Sequence, residues 1–166
     1  MAFKDLREYI AFLEGRGQLQ RIREPVSCEL EITEIVTRLN KGQGRNVALL
    51  FENVIGYQMP LLIGIFSSHH RMALALGLDN LNELSERMAS LISIEIPASL
   101  GGKLHKLAEL SELARFTPRM VKRAPCQEIV EKENPSLASL PALKGWPEDA
   151  GRFLTLPLVI TKNPTT

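Results

Sequence analysis

The chain has 166 residues, 45% hydrophobic and 23% charged, with a formal net charge of +1. That composition belongs to a folded chain, one ordinary domain or one domain plus a piece of another, and excludes a disordered polymer. The near-neutral charge offers no long-range attraction for nucleic acid or an anionic membrane, and no apolar run approaches the ~20 residues that cross a bilayer as a helix.

Cys28 and Cys126 share no short spacing and have no flanking Cys or His. This argues against a disulfide framework or a zinc site and for a reducing compartment. The first residues, Met1 to Glu8, carry no apolar signal core, so the expected location is the cytoplasm.

Taken in order, Leu6, Tyr9, Ile10 and Leu13 recur at helical spacing, and Gly15 and Gly17 follow as stop signals. They predict a first helix from about Asp5 to Glu14. Leu19 and Ile22 suit a short strand or extended link that ends at Pro25. Leu30, Ile32, Ile35, Val36 and Leu39 predict a second amphipathic helix, with Ser27 as its cap and Gly42 and Gly44 as its end. Next come two nearly continuous apolar runs, Val47 to Phe51 and Leu61 to Phe66, separated by Asn53 and Gly56. Such runs suit strands covered on both faces by helices, and Gly56 supplies a turn residue that tolerates positive φ. This pair is the expected centre of the fold.

Ser67 or Ser68 opens a third helix through Leu76, stopped at Gly77. Asn80 with Glu83 reads as a capping-box start for a fourth, carrying Leu84, Met88 and Leu91. Leu104, Leu107, Leu110 and Leu113 give a fifth. Seven of the ten prolines lie from Pro118 onward, so the composition changes there. Short strands are expected at Gln127 to Val130 and Phe153 to Thr161, and a domain boundary near residues 115–120.

Few constellations carry chemistry. His69, His70 and Arg71 invite a metal or phosphate reading, but no third ligand sits at i+4, and an exposed helix start is the simpler one. His105 stands alone between lysines. Glu29, Glu31 and Glu34 could form an acid/base pair, yet carboxylates at the positive end of a helix need no such role. Lys103, Lys106, Arg115, Arg119, Lys122 and Arg123 make a basic stretch that lacks the interleaved aromatics of a nucleic-acid platform. No G-x-G-x-x-G, P-loop, G-x-S-x-G or H-E-x-x-H occurs. The segment Gly145 to Thr161 holds the only tryptophan, Trp146, beside Glu148, Asp149, Gly151 and Arg152. It reads as a turn with Trp146 as packing anchor, or as a loop bordering a ligand cleft.

The ordered succession of several stretches resembles the UbiD-like decarboxylases, known as 3-octaprenyl-4-hydroxybenzoate carboxy-lyases. These stretches are Asp5 to Ile10 with Leu13 to Gly17, Leu30 to Ile35, Leu49 to Val54 with Gly56-Tyr57 and Met59-Pro60, and Met72 to Gly77. Ala124 to Glu128, Leu140-Pro141 and Trp146 to Pro164 complete the series. The resemblance implies an α/β (α+β) fold. Residues 1–117 would be an N-terminal mixed α/β domain, and 118–166 the first strands of an incomplete split β-barrel that binds flavin. It also implies non-oxidative decarboxylation of an aromatic or α,β-unsaturated carboxylic acid on prenylated FMN, with Mn2+ and K+, in ubiquinone or menaquinone biosynthesis.

The resemblance further implies that the chain is the N-terminal part of such an enzyme. The flavin- and metal-binding Asn, His and Glu and the catalytic Arg and Glu would then lie beyond Thr166. No residue here is therefore assigned a catalytic, cofactor-binding or metal role, and the chain alone is expected to hold no cofactor and to be inactive. Its expected partners are its own copies or the remainder of the enzyme, with neither nucleic acid nor a membrane span. The competing reading is a non-enzymatic docking or oligomerisation module acting on a full-length relative.

Overall fold

The structure, a computed structural model, describes residues 3–41, 45–92, 120–155 and 163. Its centre is a three-stranded sheet in the order β1-β2-β3, with β1 at Leu19–Ile22, β2 at Ala48–Phe51 and β3 at Leu61–Ile63. β1 runs parallel to β2, pairing Leu19 with Ala48 and Ile22 with Phe51. β3 runs antiparallel, pairing Leu49 with Ile63. A parallel pair needs a long crossover, and the second helix supplies it. The helices of this part are α1 at Leu6–Gly15, α2 at Glu31–Lys41 and α3 at His69–Leu76.

All four residues of β2 are buried, as the unbroken apolar run requires. Successive side chains of a strand point to opposite faces. Leu49 and Phe51 therefore enter one core with Val26, Cys28, Ile32 and Val54, packed by Ile35, Val36 and Leu39 of α2. Ala48 and Leu50 enter a second core with Tyr9, Leu13 and Leu19, packed by Ile10 of α1 and Leu74 of α3. The helical stripes read from the sequence point to these two faces.

Local chemistry sets the ends. Asp5 caps α1 by accepting the Glu8 N–H at 2.9 Å. Gly56 lies at φ +85° in the turn between β2 and β3, where only glycine is comfortable. Gly77 closes α3 with its N–H bonded back to the last turn.

Several expected boundaries differ. Leu30 is not a helical residue: it sits at φ +66° immediately before α2. Ser27 lies further out, and its Oγ accepts the Glu29 N–H while its own N–H donates to Glu31 Oε2. The fourth helix, α4, spans Asn82–Ile92 and begins later than Asn80. In place of a strand at Gln127 to Val130 there is a 3-10 turn at Pro125–Gln127. Pro125, with its fixed φ, starts that turn, and Ile129 and Val130 stay exposed with no partner strand among the described residues. Of the expected strand at 153–161, Phe153 makes a bridge to Leu143. Residues 156–162, the fifth helix and the closing glycines Gly42 and Gly44 lie outside the described residues.

The chain divides into two compact units, one of Met1–Leu81 with Ser136–Thr166 and one of Asn82–Pro135. The reason is backbone pairing: Lys144 N–H donates to Cys28 O at 3.1 Å, and Leu30 N–H to Lys144 O at 2.9 Å. Leu143 packs beside the core under α2. Among the described residues no helix is long and apolar enough to cross a membrane.

Phe51 has no exposed surface, so Phe51→Ala should cost about 3–5 kcal/mol in a urea titration. His69 is exposed, and His69→Ala should stay within about 0.5 kcal/mol. Equal losses would place the core elsewhere.

Candidate functional site

The densest polar cluster centres on Arg71, the only charged residue among the described ones that is fully buried. It sits in the first turns of α3 and reaches the start of β2 and the end of β3. Its Nη1 donates to Asn46 O at 2.6 Å and to Gln18 Oε1 at 3.3 Å. Its Nη2 donates to Asn46 Oδ1 and Ser67 Oγ, both at 2.7 Å, and to Gly64 O at 3.0 Å. Its Nε also reaches Gly64 O, at 3.2 Å. Gly64 holds its carbonyl in place from φ +78°, a conformation that a side chain would strain.

Every acceptor is neutral. The guanidinium is thus solvated by neutral oxygens in the manner of water. Burial pushes its pKa down, yet an arginine so fully bonded keeps its charge. Tyr9 completes the cluster: its hydroxyl donates to Arg71 O at 2.7 Å, and burial raises its pKa. Nothing here is a nucleophile or a free base. The cluster ties α1, α3 and the strand ends together.

A second feature is a cleft of about 320 Å³ between Thr33 of α2, Ile63 of β3 and the returning segment's Leu143, Trp146, Asp149 and Phe153. Asp149 Oδ2 accepts the N–H groups of Gly145 and Trp146 at 3.0 and 2.8 Å. The carboxylate therefore closes the turn. Trp146 is 62% exposed, so it is a cleft wall and not the packing anchor of its turn. A third, apolar groove runs between Phe3, Leu6 and Tyr9 on one side and Phe66 and Leu76 on the other.

The other singled-out residues are dispersed. His69 and His70 are exposed at the start of α3, but Arg71 beside them belongs to the interior and not to an exposed helix start. Among the described residues no group of three His, Cys, Asp or Glu could hold a metal. Glu31 bonds the Ser27 N–H, Glu34 pairs with Arg38 at 2.6 Å, and Glu29 lies 3.9 Å from Lys144. These carboxylates organise the entrance of α2. Lys122 and Arg123 are exposed in the other unit, while His105, Lys103, Lys106, Arg115 and Arg119 fall outside the described residues.

On the surface, Arg21 bridges Glu14 and Glu52, each at 2.6 Å, and Arg23 meets Glu52 at 3.3 Å. The Arg21 hydrogen bond holds both carboxyls below their ordinary range.

Fold and site together define a class: a mixed α/β framework whose polar residues, among those described, serve architecture. Two models of one family match the chain. The N-terminal domain of 3-octaprenyl-4-hydroxybenzoate carboxy-lyase covers residues 10–90, and the Rift-related domain of the same enzyme covers residues 119–166. The chain belongs to this family, the UbiD family, and corresponds to its N-terminal portion. An uncharacterized protein of Archaeoglobus fulgidus is 42% identical over the whole chain, and one of Aquifex aeolicus is 42% identical over 98% of it. The chain spans 33% of the length of these curated relatives.

Among solved structures, it resembles an evolved dimeric form of the UbiD-class enzyme HmfF from Pelotomaculum thermopropionicum in complex with prFMN. The TM-score is 0.65 and the identity 27%, over 90% of this chain and 30% of that one. Vanillic acid decarboxylase of Sedimentibacter hydroxybenzoicus in closed form gives a TM-score of 0.63 at 27% identity, over 90% and 29%. The fold expectation, a mixed α/β unit of the UbiD N-terminal type, is borne out.

The cleft beside Trp146 does not fit the phosphate of a flavin such as the prFMN of the HmfF complex. The one charged side chain on the 320 Å³ cleft is the carboxylate of Asp149, which would repel a flavin phosphate.

Two measurements test the Arg71 cluster. Arg71→Leu should cost about 3–5 kcal/mol, because it strands buried acceptors that a charge now satisfies. A loss under 1 kcal/mol would show that water reaches those oxygens. Tyr9 has its folded pKa raised above the ordinary value near 10, so its contribution is complete below that value. It is lost as pH rises through the raised pKa. Tyr9→Phe should therefore flatten the alkaline fall of stability, read from urea midpoints above pH 10.

Proposed function

We propose that the chain is the N-terminal part of a prenylated-FMN-dependent decarboxylase that removes CO2 from an aromatic or α,β-unsaturated carboxylic acid without net oxidation. One observation carries this reading: two successive segments of a single carboxy-lyase family match in order along the chain. The likeness to a prFMN complex and to a vanillic acid decarboxylase supports the cofactor and the substrate class. In that chemistry the flavin, when bound, accepts electron density from the substrate as CO2 leaves.

This chain's contribution is framework. Its two-faced sheet and the Arg71 cluster present a rigid base, on which residues 143–153 of the second family segment are seated. The division proposed is residues 1–117 and 118–166, supported by the gap between the two matched segments. Mn2+ and K+ bound beside the flavin phosphate, a role in quinone biosynthesis, a cytoplasmic location and assembly with further copies or with the remaining enzyme segments complete the proposal.

The test is reconstitution. The chain is mixed with separately produced flavin-binding and C-terminal segments of its Archaeoglobus fulgidus relative, with prenylated FMN, Mn2+ and K+. Release of CO2 is then followed from cinnamate-like and hydroxybenzoate acids. Turnover should need both components, the chain alone giving only the no-protein rate. Turnover by the chain alone, or its failure to bind folded partner segments, would refute the proposal.

A further inference from the structure

The segment 143–153 lies in the second matched family segment, whereas the surface that receives it lies in the first. Its fastenings are of two kinds. Those inside the segment close it on itself: Leu143 and Phe153 exchange N–H···O bonds of 3.3 and 2.8 Å, and Asp149 holds the Gly145 and Trp146 N–H groups. Others tie it to the body, among them the Lys144–Glu29 ion pair at 3.9 Å and Arg152 set over the Tyr57 ring. Lys144 makes the two backbone bonds to Cys28 and Leu30, Arg152 donates to the Tyr57 hydroxyl, and Leu143 supplies the apolar anchor. Trp146 and Phe153 are 62% and 52% exposed. A segment with its own closure, Leu143 as its side chain on the core and both aromatic rings largely exposed has the marks of a unit that opens locally.

What it holds down is under strain. Leu30, at φ +66°, is held there by the bond from its N–H to Lys144 O. A leucine pays for the left-handed region in free energy, which glycine escapes. Cys28 is 3% exposed in the core cluster against which Leu143 packs, and its carbonyl accepts the Lys144 N–H. Leu30 directly precedes α2, and Thr33 of α2 is one wall of the cleft whose other wall is the segment itself.

We propose that residues 143–153 form a detachable strap, whose release lets Leu30 leave its left-handed conformation, uncovers Cys28 and dismantles the Thr33–Trp146 cleft. The strap is a conformational device that couples the second family segment to the entrance of α2. It stands on these contacts and not on the decarboxylase reading.

The test uses the full chain carrying Cys126→Ser, which removes the exposed thiol and leaves Cys28 as the sole one. Its reaction with an aromatic disulfide reagent is timed at urea concentrations below the unfolding transition. Labelling should be nearly independent of urea there, as for a local opening. Arg152→Ala should speed labelling about threefold or more, through loss of one charge-assisted hydrogen bond, with the urea midpoint little changed. Leu30→Gly should slow labelling, because opening no longer relieves strain. If Cys28 labelling follows only global unfolding in every variant, the segment is a fixed part of the core and the proposal fails. If Leu30→Gly leaves labelling unchanged or faster, the strain at Leu30 has no part in it.

Discussion

The fold depends on one strand that has no solvent face. β2 sends Leu49 and Phe51 to one core and Ala48 and Leu50 to the other, so neither core can form without it. Every element placed around it follows from that demand. β1 and β3 satisfy its two edges, α2 covers one face, and α1 with α3 covers the other. A strand of four residues could not hold such an arrangement by hydrogen bonds alone, because each contributes little net free energy in exchange for water. Burial on both faces is what makes the strand permanent.

Arg71 solves a related problem at the rim of the sheet. Backbone oxygens at the start of β2 and just past β3 lie where ladder pairing has stopped. A buried oxygen without a donor is costly, and the guanidinium provides several donors in one rigid plane. The charge tolerates burial because oxygens surround it. The cluster therefore works as a joint between secondary elements, and no reactive group is held apart for chemistry.

This division of labour suits the family. Among the described residues no group of three His, Cys, Asp or Glu could hold a metal, and the chain spans a third of its relatives' length. A framework unit of this kind acts through position. The returning segment, seated on Cys28 and Leu30, is the place where position passes from one matched family segment to the next.

Apolar pattern alone determined much of this. The two strands around Gly56, the helical stripes of α1, α2 and α3, and the short strand at Leu19–Ile22 were legible because period and burial are local properties of the sequence. So was the family, through the order of weak motifs. The Arg71 cluster was not legible: a charge next to two histidines reads as surface, and only the tertiary approach of Asn46, Gly64 and Ser67 makes its burial bearable. A leucine at φ +66° was equally invisible, because its partner, Lys144, is distant in sequence. Trp146 read as a packing anchor, because aromatic rings usually seek burial, or as the border of a cleft, and the local Asp149 turn goes with the second. For Arg71 and Leu30 the deciding contacts, with Asn46 and with Lys144, join residues far apart in the chain, and such contacts exist only once the chain has folded.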